Sequence, residues 1–291
     1  MTQTPTAQTV LTADPAAQAQ LRADRRRALR STLGRSLGNA GITFAVVLLL
    51  WQGIVSFSGI SPFVAKGPLD VWSFLFVGED AAEHRAQMAP LVTQTLVDSL
   101  IGFVFGMTTA VILAILFSLS KAVEAGVMPL VLLLRTIPLV SIAPVIILIT
   151  GRGTVTSVAV IGTIVVLFPA LASILFGLSR ASRQSIDVVA VFGGGRLTAL
   201  RKVSIPGAGP SLFAAARVSV PGAVTGALLA EWLSTGQGIG GSILKFNAQA
   251  QFTQLWTSIA LITLITLLLY NIVQIVENIV LVRMGMSLTR R

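Results

Sequence analysis

Six apolar runs decide what this chain is able to become. At roughly 38–58, 91–119, 125–149, 155–178, 212–233 and 254–282 the sequence stays apolar over lengths that reach the about 20 residues a helix needs to cross a bilayer. In hydrocarbon every backbone N–H and C=O must find its partner within the protein, which leaves helices and closed barrels. These runs are too long and continuous for barrel strands of about ten residues. The expected fold is an all-α membrane protein of about six transmembrane helices. Charge agrees, since 11% of the residues are Asp, Glu, Lys or Arg against roughly 25% in a soluble domain.

Several chemistries drop out. There is no cysteine, and His84 is the single histidine, so neither a disulfide framework, a thiolate metal site nor a histidine ligand pair is available. No metal site and no catalytic residue is expected, and His84 reads as a solvated surface side chain. The formal charge of +10 invites a nucleic-acid partner, but the positions of the basic residues matter more than their sum. With a cytoplasmic N-terminus, sixteen Lys and Arg fall in inside segments, while Lys66, Arg85, Arg152 and Lys245 fall outside and Arg135 lies within the third run. That is a positive-inside bias, with both termini facing the cytoplasm. The bilayer is thus the expected partner, and nucleic acid is not.

The chain reads in four parts. Residues 1–37 form a tail, disordered at first and then carrying the basic RADRRRALR, which suits an anionic lipid surface. Residues 38–90 hold the first transmembrane helix and an outer loop. The first run has no A-x-A-like cleavage site, so it reads as a retained span. The loop includes LDVWSFLF, read as an interfacial helix with Trp72 and Phe74 at headgroup level. Residues 91–285 form the core, and 286–291 a short cytoplasmic tail.

Within the core, GFVFG at 102–106 and GAVTG at 222–226 have the G-x-x-x-G spacing that lets helix backbones approach. Packing within the chain is the favoured use, a dimer face the other. GQGIGG at 236–241 matches the dinucleotide fingerprint only formally, because it follows a membrane run rather than a strand. No G-x-x-x-x-G-K-[ST] phosphate cradle is present, so any ATP is expected on another subunit. Asp98, Arg135 and Glu231 lie in or near the runs, where an ionisable group costs about 2.5–3.5 kcal/mol or more and therefore faces a partner or a cavity. Arg135 and Glu231 either pair or each snorkel to an interface. Pro138 and Pro144, in LLLRTIPLVSIAPVIILI, each remove a backbone hydrogen bond and predict a kink. Broken helices at membrane depth belong beside protein or water. A pathway is expected along the third and fifth spans and the following turn, near Arg135, Pro138, Ser141, Thr225, Glu231 and Gln237.

Between the fourth and fifth runs lies DVVAVFGGGRLTALRKVSIP, residues 187–206. Asp187 to Phe192 predicts one helical piece, the glycines a turn with positive φ, and Arg196 to Lys202 a second piece ended before Pro206. Val188, Val189, Val191, Phe192, Leu197 and Leu200 then need cover, either from a cytoplasmic partner or from the chain's own spans.

This segment resembles the cytoplasmic signature loop of ABC-importer permeases, whose pattern runs from a Glu-Ala-Ala triplet through a glycine to a Leu-Pro end. Asp187 stands at the Glu position, Gly193 at the Gly position, and Pro206 lies thirteen residues beyond that glycine; Val188 and Val189 replace the two alanines. RTIPLVSIAPVIILITGRG and LLAEWLSTGQGIGGSI are similar to the nitrate, sulfonate and taurine branch. The resemblance covers roughly 90–285 and implies a type I ABC-importer permease bundle in a bacterial-type inner membrane. It further implies that Asp187, Ala190, Phe192, Gly193, Arg196, Leu200, Arg201, Ile205 and Pro206 dock on a cytoplasmic ATPase dimer, which carries the ATP and Mg2+, so that this chain holds no cofactor itself. A second permease copy, most simply a homodimer, and an extracytoplasmic substrate-binding protein complete the implied assembly. The implied cargo is a small anionic or heterocyclic solute. The rival readings are an ion-gradient-driven transporter or channel, which would carry more intramembrane acids than Asp98 and Glu231, and a membrane scaffold that only recruits a partner.

Overall fold

Apolar runs become helices in the computed structural model, which describes residues 38, 41, 42 and 44–283. The expected disordered and basic tail at 1–37 and the tail at 286–291 lie outside the described residues. The chain divides between Ser61 and Pro62, a boundary that falls inside the stretch 38–90. The first unit carries α1 (Phe44–Phe57), an apolar helix whose Gln52 side chain donates to Ser56 Oγ at 3.1 Å. Its described length is short of a full span, and the rest of the first run reaches into residues that are not described.

The second unit contains α2 (Pro68–Phe76), α3 (Ala81–Leu119), α4 (Lys121–Thr136), α5 (Leu139–Thr150), α6 (Val155–Ser179), α7 (Arg183–Val191), α8 (Arg196–Ala199), α9 (Ile205–Gly207), α10 (Gly209–Ala230), α11 (Gly238–Ala248) and α12 (Phe252–Arg283). Single π-helical turns at Leu200–Ser204 and Glu231–Thr235 join α8 to α9 and extend α10. No strand occurs among the described residues. The helices α3, α6, α10 with its extension, and α12 are long and apolar enough to cross a membrane, and α4 with α5 makes a fifth, broken span.

Small residues hold the centre together. The buried positions of α3 include Ser99, Gly102, Gly106, Ala110 and Ala114, a stripe on one helix face. A Cβ added to Gly162 on α6 would lie 2.5 Å from Gly102 Cα, and one added to Gly226 on α10 would lie 3.0 Å from Gly162 Cα. Both G-x-x-x-G motifs therefore pack within the chain, onto α6, where both approach Gly162. Lipid tails are as apolar as Leu, so close backbone approach and dispersion replace the hydrophobic drive here. Towards one end this seam widens into a larger core of Phe117, Leu171, Ile174, Leu178 and Leu200.

The third run breaks rather than kinks. α4 and α5 meet at 110°, with Ile137 extended (φ −76°, ψ 124°) and Pro138 capping α5. A proline disfavours helical backbone in the residue before it, so the break falls at Ile137. Pro144, by contrast, is carried inside α5. The segment LDVWSFLF lies in a helix as expected, started by Pro68 and by Asp70, whose Oδ2 accepts the Gly67 N–H at 2.7 Å. Trp72 is exposed, whereas Phe74 is half-buried and stacked on His84. His84 is thus a packed side chain whose Nδ1 lies 2.9 Å from Phe74 C=O.

Gly162→Ala is expected to cost about 1–3 kcal/mol by overpacking the seam and to lower the unfolding midpoint of the purified protein. Gly126→Ala, whose added carbon meets nothing within 4 Å, is the control that leaves the midpoint in place.

Candidate functional site

Three places gather the polar side chains that the helices carry: the turn after α10, the break between α4 and α5, and the loop between α6 and α10. At the first, Glu231 is fully buried. Its Oε2 accepts the Gly240 N–H at 2.7 Å and the Thr95 hydroxyl at 3.0 Å, while Thr95 Oγ1 accepts the Ile239 N–H at 2.9 Å. The π-turn ends as the Gly236 N–H bonds Glu231 C=O at 2.7 Å. Gly238 has φ +63° and no room, since a Cβ there would sit 2.2 Å from Glu231 Oε1. The motif GQGIGG therefore wraps a carboxylate of its own chain, which explains its glycines without any dinucleotide. Asp98 is the neighbouring carboxyl group, held by Gln94 Nε2 at 3.1 Å. Ser234 anchors the same turn to the start of α6 through Ser157 Oγ at 2.9 Å and the Gly153 N–H at 3.0 Å.

Arg135 does not pair with Glu231. Its guanidinium lies 4.1 Å over the centroid of Phe168, and with Pro138 it lines a cavity of about 280 Å³ at the helix break. Ser141, Thr225 and Gln237 are exposed, and Thr225 Oγ1 is occupied with Pro221 C=O at 2.9 Å. Of the six pathway candidates, then, the structure buries Glu231 and leaves the other five exposed, with Arg135 and Pro138 on the wall of one cavity.

One intramembrane pair escaped the sequence reading. Arg217, counted among cytoplasmic residues, lies within α10 and meets Glu277 of α12 at 3.0 Å. Glu277 is buried, and the guanidinium also sits 5.9 Å from the Tyr270 ring centroid. An acid within the run 254–282 was the available signal, so Asp98 and Glu231 are not the only acids at membrane depth.

In the loop, Ser182 Oγ caps α7 by accepting the Ser185 N–H at 3.2 Å. Gly193 turns the chain at φ +77°, and the Gly194 N–H returns to Val189 C=O at 2.8 Å. The second piece does not end before Pro206. It winds from Arg196 through the π-turn into α9, and Pro206 follows directly on the π-turn's last bond, from the Ile205 N–H to Leu200 C=O. Leu200 packs in the core with Phe117 and Leu178, and Val189 is half-buried. The tip stays open, with Val191 85% and Phe192 86% exposed and Val188 and Leu197 more than half exposed. Asp187, Ala190, Arg196, Arg201, Ile205 and Pro206 are exposed around it. The chain's own spans cover the root of this loop and leave its apolar tip bare.

The family of binding-protein-dependent transport system inner membrane components matches residues 102–285. A probable ABC transporter permease protein of Haemophilus influenzae is 26% identical over 225 residues, 77% of this chain and 89% of that protein. The riboflavin transport system permease protein RibX of Chloroflexus aurantiacus is 27% identical over 241 residues, 81% of this chain and 87% of that protein. The putative aliphatic sulfonates transport permease protein SsuC of Bacillus subtilis is 22% identical over 237 residues, 80% of this chain and 83% of that protein.

Glu231→Ala strands the buried N–H of Gly240 and the Thr95 hydroxyl, and is expected to cost about 1–3 kcal/mol for each group left unpaired. Denaturant melts of the purified protein check this, with the smaller loss expected for Thr95→Ser, which keeps the hydroxyl.

Proposed function

The chain belongs to the binding-protein-dependent transport system inner membrane components, multi-pass ABC transporter permeases of the inner membrane, and from that premise we propose that residues 187–206 couple it to a cytoplasmic ATPase. The observation that carries this reading is the bare apolar tip formed by Val188, Val191, Phe192 and Leu197. Water is a poor partner for four such side chains on a folded turn, and an apolar cleft on a partner is a good one. Arg196, Arg201 and Asp187 surround the tip and supply the polar rim that orients docking. Gly193 fixes the turn, and Leu200 roots the second piece in the core. The loop is therefore a lever whose motion the membrane helices must follow.

In this reading ATP and Mg2+ sit on the ATPase dimer, whose closure biases the permease between inward-open and outward-open states. The loop and both termini face the cytoplasm. A second copy of the chain completes the pathway, and an extracytoplasmic binding protein delivers a small anionic or heterocyclic solute. The relatives named for riboflavin and for aliphatic sulfonates support a solute of that range. An ion-driven mechanism gains little from Glu277, because Arg217 already neutralises it.

An affinity pull-down in mild detergent tests the proposal. The parent chain is expected to capture an ABC ATPase subunit, and Phe192→Asp to reduce capture about tenfold or more, the scale of losing one interface hot spot. Gly193→Asp, which strains a backbone at φ +77°, is expected to act in the same direction at equal expression. Equal capture by all three chains would contradict the role of the loop.

A further inference from the structure

Two buried acids each keep one oxygen that the chain leaves unanswered. Glu231 on the π-turn is fully buried and Asp98 on α3 nearly so. Glu231 Oε2 accepts the Gly240 N–H and the Thr95 hydroxyl, and Asp98 Oδ1 accepts from Gln94 Nε2. Glu231 Oε1 and Asp98 Oδ2, by contrast, have no hydrogen-bond partner. The two carboxyl groups lie within hydrogen-bonding reach of each other. An ionised carboxylate only accepts, so two ionised groups placed this way make no bond and repel each other. Each free oxygen would also carry the full cost of its desolvation.

No basic side chain relieves that repulsion. The ion pairs among the described residues join Lys121 to Glu124 and Arg217 to Glu277. Around the acids, α5 and α6 carry no charged residue, and Arg217 of α10 is taken by Glu277 of α12. Arg152, in the turn from α5 to α6, and Lys245, on α11, are exposed. On α3 itself, Glu83, His84 and Arg85 lie about four turns before Asp98. A metal ion fits this place poorly. A hard cation such as Ca2+ takes about six to eight oxygen ligands, and no group of three or more His, Cys, Asp or Glu able to hold a metal ion occurs among the described residues. The Glu231 carboxyl group is also packed against Gly238, where there is no room for a Cβ. A proton needs two oxygens, and two are free.

We propose that Glu231 and Asp98 hold one proton between them, as a carboxylic acid bonded to a carboxylate through Glu231 Oε1 and Asp98 Oδ2. One proton turns two acceptors into a donor and an acceptor, and carboxyl groups that share a site keep one in this way. It leaves a single negative charge, which the donors of Gly240, Thr95 and Gln94 already surround. Hydrogen bonds from a hydroxyl to a carboxylate are short and strong, so the proton fastens α3 to the turn after α10. Among the described residues no further titratable side chain stands beside the pair to form a relay. The proton is therefore a fixed part of the core and not a transported ion. The inference goes beyond the coupling reading and does not need it, because residues 187–206 lie at the opposite end of α10 from Glu231.

Infrared spectroscopy of the full chain at neutral pH tests this, in dodecyl maltoside, a detergent without carbonyl groups. The folded parent is expected to show the C=O stretch of a protonated carboxyl group, above the amide band, and to lose it when unfolded in dodecyl sulfate. Glu231→Gln and Asp98→Asn should each lack the band. In either variant the new amide N–H donates where the proton did, and the remaining acid is the acceptor. Both variants keep the bond between α3 and the turn, so their unfolding midpoints should stay close to the parent's. Asp98→Leu, which leaves Glu231 Oε1 without a donor, should lower the midpoint. The parent's band and its loss on unfolding decide the question even where a variant does not fold. No such band in the folded parent, a band that survives unfolding, or one retained at full strength in both folded amide variants would each overturn the proposal. So would a midpoint that rises with sodium chloride but not with choline chloride in the absence of the band, which would assign the pair to a metal cation.

Discussion

The contact on which the rest of the structure depends is the one between glycines of α3, α6 and α10. Gly102, Gly162 and Gly226 meet almost backbone to backbone, and in a medium that gives apolar side chains no reason to cluster, such close approach is what binds one helix to the next. Everything with a proposed role hangs from this seam. α6 runs out of it into α7, and α9 leads back into it through α10, so the loop is held at both ends by packed helices. At the other end of α10 the Glu231 turn is fastened to Thr95 of α3 and, through Ser234, to Ser157 of α6. Both ends of the core are thereby tied to the same three helices.

Against that core the third span is the loose part. α4 and α5 present long apolar faces outward, with Leu148 and Ile149 among the most exposed side chains of the chain, and they are broken where Arg135 sits. A packed core joined to a broken, sparsely packed span suits alternating access. Under the proposed coupling, the core carries a push from the loop as a unit, and the broken span is where its geometry has room to change. The polar groups follow the same division: Glu231 and Asp98 are buried in the core, where Glu231 Oε1 and Asp98 Oδ2 have no hydrogen-bond partner, and Arg135 is exposed at the helix break.

Much of this was legible in the letters, for identifiable reasons. Long apolar runs admit only helices in lipid, so α3, α6, α10 and α12 follow directly from length. The G-x-x-x-G pairs foretold close packing because only glycine permits it. The turn at Gly193 was legible too, since three consecutive glycines leave little else. Other features depend on through-space partners that sequence does not display. Arg217 and Glu277 stand sixty residues apart in the chain and meet only after α12 packs on α10, and Glu231 was legible as an acid in or near a span but not as the guest of its own glycine turn. Pro138 and Pro144 look alike as letters. Only Pro138 stands at a helix end, so it breaks the span while Pro144 rides inside α5. Pro206 was read as a stop, yet the helical path runs on past it, directly after the π-turn at Leu200–Ser204.

The central claim is that the bare tip around Phe192 is covered by a peripheral protein on the cytoplasmic face. The chain contains no cysteine, so Phe192→Cys introduces one addressable thiol. The measurement is its rate of labelling by a bulky, membrane-impermeant maleimide in inverted membrane vesicles, before and after peripheral proteins are stripped by an alkaline wash. The account expects slow labelling before the wash and fast labelling after it. Equally fast labelling in both, or labelling only in right-side-out vesicles, would contradict it.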